Sequence, residues 1–311
     1  MRVTSNTFPQ ALVDQLGRLA LRQNRLQNQA ATGQRIQSPE DDPAGMRRVL
    51  DLQTETRTLQ QYKRNIERHQ EVAQISYGVV KSLKTISDRA GEIATLADGL
   101  KSPQEMRIYA AEVTQMIQQA VQLANSKHRG DYLFSGTKSD QAPFVAATDA
   151  NGNVTAVTYQ GNTSVAESEI AEGVTVTAQT LGANTSGSGP RGLLADSRAG
   201  ADFFNHLIAL QNSLRANNAG EIQFNTRAQL AQDEENFLFH VGANGALQAR
   251  LETTAALATN RTLSLEGLTS QEADADLAQT LVRLSETQNA YRAALQSGAT
   301  ILDRSLLDFL R

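Results

Sequence analysis

The residue types that could carry chemistry are sparse, and their spacing argues against most reactions. Asp41 and Asp42 set two carboxylates side by side, the ligand type that hard cations such as calcium and magnesium take. Pro43 follows them directly. Asp before Pro is also the signature of a helix start, with Asp42 as the capping acceptor and Pro43 as the first helical residue. That role accounts for both acids without a metal. The four histidines, His69, His128, His206 and His240, are dispersed, with no pair at the HExxH spacing of a zinc site on a helix. Cysteine is absent, which removes thiol nucleophiles, disulfides and thiolate ligands. No GxGxxG or GxxxxGKS/T loop offers a phosphate cradle, and no GxSxG elbow presents a serine. The expectation is a protein that is not an enzyme, with no catalytic residue, no cofactor and no metal site. Two sequons, Asn153-Val154-Thr155 and Asn162-Thr163-Ser164, read as polar turn and strand positions.

The elements that must position these residues are better defined. A chain of 311 residues exceeds what one compact core usually holds. Trp is absent, aromatics make up 5%, and Ala, Leu, Gln and Arg are abundant, a composition suited to long helices. The net charge of −4 gives no support to general nucleic-acid binding. No run approaches the roughly 18 apolar residues of a membrane span. The first ten residues lack the apolar core of a secretory signal, so export by a route without a cleaved signal is compatible with the sequence.

The outer thirds read as helix. Leu12, Leu16, Leu19, Gln23, Leu26 and Ala30 step by 4, 3, 4, 3, 4, a heptad seam, and Gly33 supplies a left-handed stop. A long helix is expected from Pro43 to about Leu100, with Leu59, Tyr62, Ile66, Ala73, Val80, Leu83 and Ala90 on one face. Ser102-Pro103 breaks it, and a second helix should run to about His128. The pattern then changes. Between Asp131 and about Gly192, alternating or β-branched stretches separated by Asn151-Gly152 and Glu172-Gly173 turns predict a small inserted β domain. Helix returns at Phe203, continues in two segments near Ile222–His240 and Ala243–Leu265, and ends in a last helix from about Gln271 to Leu310. Its apolar row is Leu277, Leu281, Leu284, Tyr291, Leu295 and Leu302, with Gln288 and Gly298 filling slots.

The fold class expected is therefore mainly α with an inserted β domain, a long-helix bundle carrying terminal coiled-coil helices. Its parts are an N-terminal assembly helix (1–40), two halves of a helical bundle (41–130 and 202–268), the β domain (131–201) and a C-terminal assembly helix (269–311). Residues 1–38 hold five Arg against one Asp, a net +4, and residues 269–311 hold six acids against four Arg, a net −2. Opposite charge of this kind selects partners more than it adds stability, and a Gln in each seam fixes register. Spacing leaves open whether the two end helices pair within one chain or between chains.

Several stretches resemble one family. Thr32-Gly33-Gln34-Arg35-Ile36 with Ser38-Pro39-Glu40-Asp41-Asp42-Pro43-Ala44 looks like the N-terminal signature of the bacterial flagellin family. Tyr132-Leu133-Phe134-Ser135-Gly136-Thr137 followed by Pro143-Phe144, and Ala273 to Ala278 with Ser305 to Leu310, are similar to its hook-associated protein 3 branch. True flagellins usually have Asp-Asp-Ala-Ala-Gly where this chain has Asp41-Asp42-Pro43-Ala44-Gly45, and the β domain departs most from the family. The resemblance implies an extracellular structural subunit of the bacterial flagellum, at the junction of hook and filament. It also implies type III export without a cleaved signal and assembly as a ring of copies of itself. Its partners would be hook-associated protein 1, flagellin and an export chaperone, with neither nucleic acid nor membrane. The alternatives are a flagellin filament subunit, or a surface- or carbohydrate-binding module on a helical stalk.

On this reading the assembly interface comprises Leu12, Leu16, Leu19, Gln23 and Leu26 with Leu277, Leu281, Leu284, Gln288, Tyr291, Leu295 and Leu302. Each end helix has only a narrow seam to bury, so both are expected to be weakly ordered in the free monomer.

Overall fold

A computed structural model describes residues 7–309, with side chains described over residues 10–300. The chain divides into two compact units, residues 1–58 with 260–311 and residues 59–259.

The first unit holds helix α1 (Thr7–Thr32), the start of α2 (Pro43–Leu96), the end of α6 (Arg227–Ala273) and α7 (Leu277–Phe309). The α1 helix stops where Gly33 adopts φ +73° while its amide still bonds to Gln29 O at 2.9 Å, the left-handed ending that only glycine takes without strain. Helices α1 and α7 pack antiparallel: Ala275 N donates to Gly33 O at 2.7 Å at one end. At the other, Leu12 covers Gly298 so closely that a Cβ there would lie 2.5 Å from Leu12 Cδ2. Val49 of α2 and Leu265 of α6 are buried.

The second unit holds the rest of α2 and α6, with α3 (Pro103–Ala124), α4 (Phe203–Arg215), the single turn α5 (Ala219–Glu221) and a π-helical turn over Ile222–Thr226. The α3 helix begins in a capping box, Ser102 Oγ accepting the Glu105 amide and Glu105 accepting the Ser102 amide. Leu83, Ile86 and Ile93 of α2, Met106, Val113 and Ile117 of α3, Phe203, Leu207 and Leu210 of α4 and Phe237 of α6 form its main core.

Between α3 and α4 the chain forms small sheets. Two antiparallel hairpins come first: β1 (Lys127–His128) with β2 (Asp131–Tyr132), and β3 (Phe144–Thr148) with β4 (Val154–Tyr159). A third pairs β5 (Ser168–Ala171) with β6 (Val174–Val176), and its Ile170 and Val176 pack with Ile66 and Leu251 in a second cluster. The last sheet joins β7 (Leu181–Asn184), β8 (Gly192–Asp196) and β9 (Ala201–Asp202), with β7 parallel to β8. A side chain at Gly192 would collide with Ala195 O and Asn184 N. Asn236 Nδ2 donates to Gly192 O at 2.9 Å and to Leu193 O at 2.8 Å, tying this sheet to α6.

Three boundaries differ from the sequence reading. The two expected helices over 222–240 and 243–265 form one helix from Arg227 to Ala273. Gly242 and Gly245 stay helical although each costs about 1 kcal/mol relative to Ala, because Phe237 and Leu251 are buried on either side of them. The α3 helix ends at Ala124, not near His128. Asn125 leaves the helix to bond Phe144 twice, its Nδ2 donating to Phe144 O at 2.8 Å and its Oδ1 accepting Phe144 N at 3.0 Å. The last helix begins at Leu277, later than Gln271, after Asp276 Oδ1 accepts the Gln279 amide at 3.0 Å.

Candidate assembly surface

The α1–α7 pair and the loops at its base gather most of the residues singled out in the sequence. At the base, Asp41 Oδ2 accepts the Gln37 and Ser38 amides at 3.1 and 3.2 Å, and Asp41 Oδ1 lies 3.0 Å from Arg25. Asp42 Oδ1 accepts the Gly45 amide at 2.9 Å, one turn into the helix that Pro43 starts. Those amides hold both carboxyls below the usual aspartate value, with Arg25 and Arg35 adding to the effect. Gly45 has no room for a side chain: a Cβ would sit 2.6 Å from both Asp42 Oδ2 and Ile36 Cδ1. Among the described residues, no three His, Asp or Glu side chains are grouped so as to hold a metal ion.

The loop after α1 is clasped to the loop before α7. Arg35 N donates to Ala273 O at 2.6 Å, Gln34 bridges Asp274, and Arg35 Nη2 donates to Glu272 O at 2.6 Å. Arg48 reaches Glu272 with two bonds of 3.1 and 2.9 Å, which lowers the Glu272 carboxyl and raises Arg48. These ion pairs are exposed and stabilise little by themselves. The backbone bonds between the two loops fix where α1 and α7 leave, and so set their register.

Along the pair, the α1 seam faces inward: Leu12, Leu16, Leu19 and Gln23 are half-buried and Leu26 is buried. The α7 row behaves differently. Leu284, Gln288 and Tyr291 are half-buried, but Leu277, Leu281 and Leu295 remain 49%, 55% and 46% exposed. The buried line of α7 runs instead through Thr280, Thr287 and Gly298, with Ala294 half-buried beside it. At 100° per residue this line is turned about 60° from the leucine row. Leucine spacing alone could not reveal it, since threonines carry it; Thr287 Oγ1 satisfies itself on Arg283 O at 2.7 Å. The Leu302 side chain lies outside the described residues.

One α7 face thus closes on α1, and an adjacent apolar face carrying Leu277, Leu281 and Leu295 meets solvent. Val13 and Leu21 of α1 and Val282 of α7 are also exposed. Such an arrangement can bury more apolar surface only against another molecule. No described helix is long and apolar enough to cross a membrane.

Residues 3–139 match the family model of the bacterial flagellin N-terminal helical region. No curated protein matches the chain. Among solved structures, one from Vibrio parahaemolyticus, described as a flagellar hook-associated protein, is similar at 21% identity and a TM-score of 0.62, over 75% of this chain and 100% of that one. FlgL of Bacillus cereus is similar at 16% identity and TM-score 0.55, over 70% and 97% of the two chains. The flagellar junction protein FlgL of Legionella pneumophila is similar at 14% identity and TM-score 0.55, over 73% and 100%. By its architecture the chain has a flagellin-like fold, built as these hook-associated structures are, with an N-terminal part similar to the helical region of bacterial flagellins.

Proposed function

We propose that this chain is a structural, non-catalytic subunit of the bacterial flagellum that joins the hook to the flagellin filament. The observation that carries the reading is the leucine face of α7, left open after α1 and α7 have paired. Likeness of fold to hook-associated and junction proteins supports the choice of assembly. In this reading copies of the chain form a ring outside the cell, with hook-associated protein 1 below and flagellin above, after export without a cleaved signal. A cytoplasmic chaperone covers the C-terminal helix until then. Electron microscopy of cells lacking the protein tests the reading: hooks without filaments are expected, and normal filaments would overturn it.

Residues 1–40 and 269–311 are the assembly segments in this scheme, 41–130 and 202–268 the bundle, and 131–201 a β domain that decorates it. The end helices are weakly ordered until neighbours cover them, which would suppress premature polymerisation. The support is the thinness of their mutual core, where Leu26 is the only buried large apolar side chain among the described residues of α1 and α7. Limited proteolysis of the purified monomer should cut residues 1–40 and 277–311 well before residues 45–265. Ends that resist as long as the centre would sink this part of the scheme.

A further inference from the structure

The second unit contains a cavity of about 420 Å³ that the assembly reading does not use. It opens beside α2, the β1–β2 hairpin and the start of β5, and lies within the size range of sites for small organic ligands, ~300–1,000 Å³.

Its wall is mixed, with Val72, Leu133 and Ala178 supplying apolar surface beside polar and charged groups in which the cations outnumber the acids. Arg68 and Arg129 line it against a single acid, Asp131. Arg129 is engaged by Glu71 at 2.6 Å, whereas Arg68 has no acid within ion-pair distance among the described residues. A guanidinium in a concave site without a carboxylate is a ready partner for one, through paired parallel N–H bonds. The other polar groups of the wall offer further donors and acceptors. Tyr132 presents a hydroxyl with no partner among the described residues, and Lys127 Nζ holds its ring from 4.3 Å. Gln179 uses its Oε1 on the Ala166 amide at 2.8 Å, which leaves its NH2 group to donate. Asp131 accepts from Ser139 at 2.9 Å and keeps acceptor capacity. His69 and Ser168 satisfy each other at 2.5 Å, and burial pushes the imidazole toward its neutral form.

One free guanidinium among hydroxyl, amide and carboxylate groups suits a ligand with one acid group and several hydroxyls. We propose that this cavity binds a small polyhydroxylated carboxylate, a sugar acid of the uronate type. Arg68 holds its carboxylate, and Tyr132, Gln179 and Asp131 meet its hydroxyls.

Calorimetric titration of the full chain with galacturonate, galactose and acetate tests the assignment. Galacturonate should bind saturably and at least about tenfold more tightly than either of the others, a difference of one decade in Kd. Arg68→Gln should bring galacturonate down to the level of galactose with unchanged melting, because Arg68 is exposed. Acetate binding as tightly as galacturonate would reduce the cavity to a simple anion site, and equal binding of galactose would remove the role of Arg68. Absence of saturation with all three, or an Arg68→Gln variant that binds as the parent does, would also overturn the proposal.

Discussion

Leu281→Asp combined with Leu295→Asp is expected to abolish assembly and to leave the melting of the monomer unchanged. Both side chains are about half exposed and lie on the α7 face turned away from the buried line. Exposed substitutions of this kind usually change stability by no more than about 0.5 kcal/mol. In an assembled state the same positions would be covered. Two carboxylates would then be desolvated without partners, and an unpaired buried charge is costly enough to prevent the contact. Sedimentation and negative-stain microscopy read the assembly, and thermal denaturation reads the fold. Gly298→Leu provides the opposite control. It would drive a side chain into Leu12 and should loosen the α1–α7 pair itself. If the double aspartate variant still completes filaments, the leucine face is not the contact surface, and the open side of α1 around Val13 and Leu21 becomes the remaining candidate.

That prediction depends on a feature which residue spacing locates only in part. The existence of both end helices, the stop at Gly33 and the helix start at Asp42-Pro43 can be read from the sequence because each rests on local chemistry: a left-handed residue, a capping carboxylate, a proline without an amide proton. The heptad count on α1 points to the face that is buried. On α7 it points to a row that is left partly open, since counting weights leucines and overlooks Thr280 and Thr287, which pack inward, the Thr287 hydroxyl bonding the helix backbone. Gly298 has meaning only once Leu12 is known to lie over it. The clasp is equally hidden. Gln34 and Asp274 are 240 residues apart in sequence, and no local signal announces that their backbones meet. The parallel pairing of β7 with β8 escapes for a similar reason, since the Gly/Ser-rich connection between them looks like a linker, although Asn184 organises it by bonding Ser188 O and Pro190 O.

A second substitution should separate folding from assembly in the other direction. Phe237→Ala is expected to cost about 3–5 kcal/mol. The ring is fully buried, stands edge-on to Phe203 at a centroid distance of 5.0 Å and belongs to the main core of the 59–259 unit. Its removal leaves a cavity that the flanking residues cannot easily collapse. On one side Asn236 is held by two carbonyls of β8, and across the core Phe203 also packs on Phe204. For a unit of this size the loss corresponds to a fall in Tm on the order of 10 °C. The leucine face of α7 is untouched by the change, since it belongs to the other compact unit. Below its lowered melting temperature the variant should therefore still assemble. The two substitutions together form a test in which each is the control for the other: one removes assembly at constant Tm, the other lowers Tm at constant assembly. Should Phe237→Ala abolish assembly as completely as the aspartates do at a temperature where it remains folded, the contact surface would depend on the 59–259 unit, and α7 alone could not account for the junction.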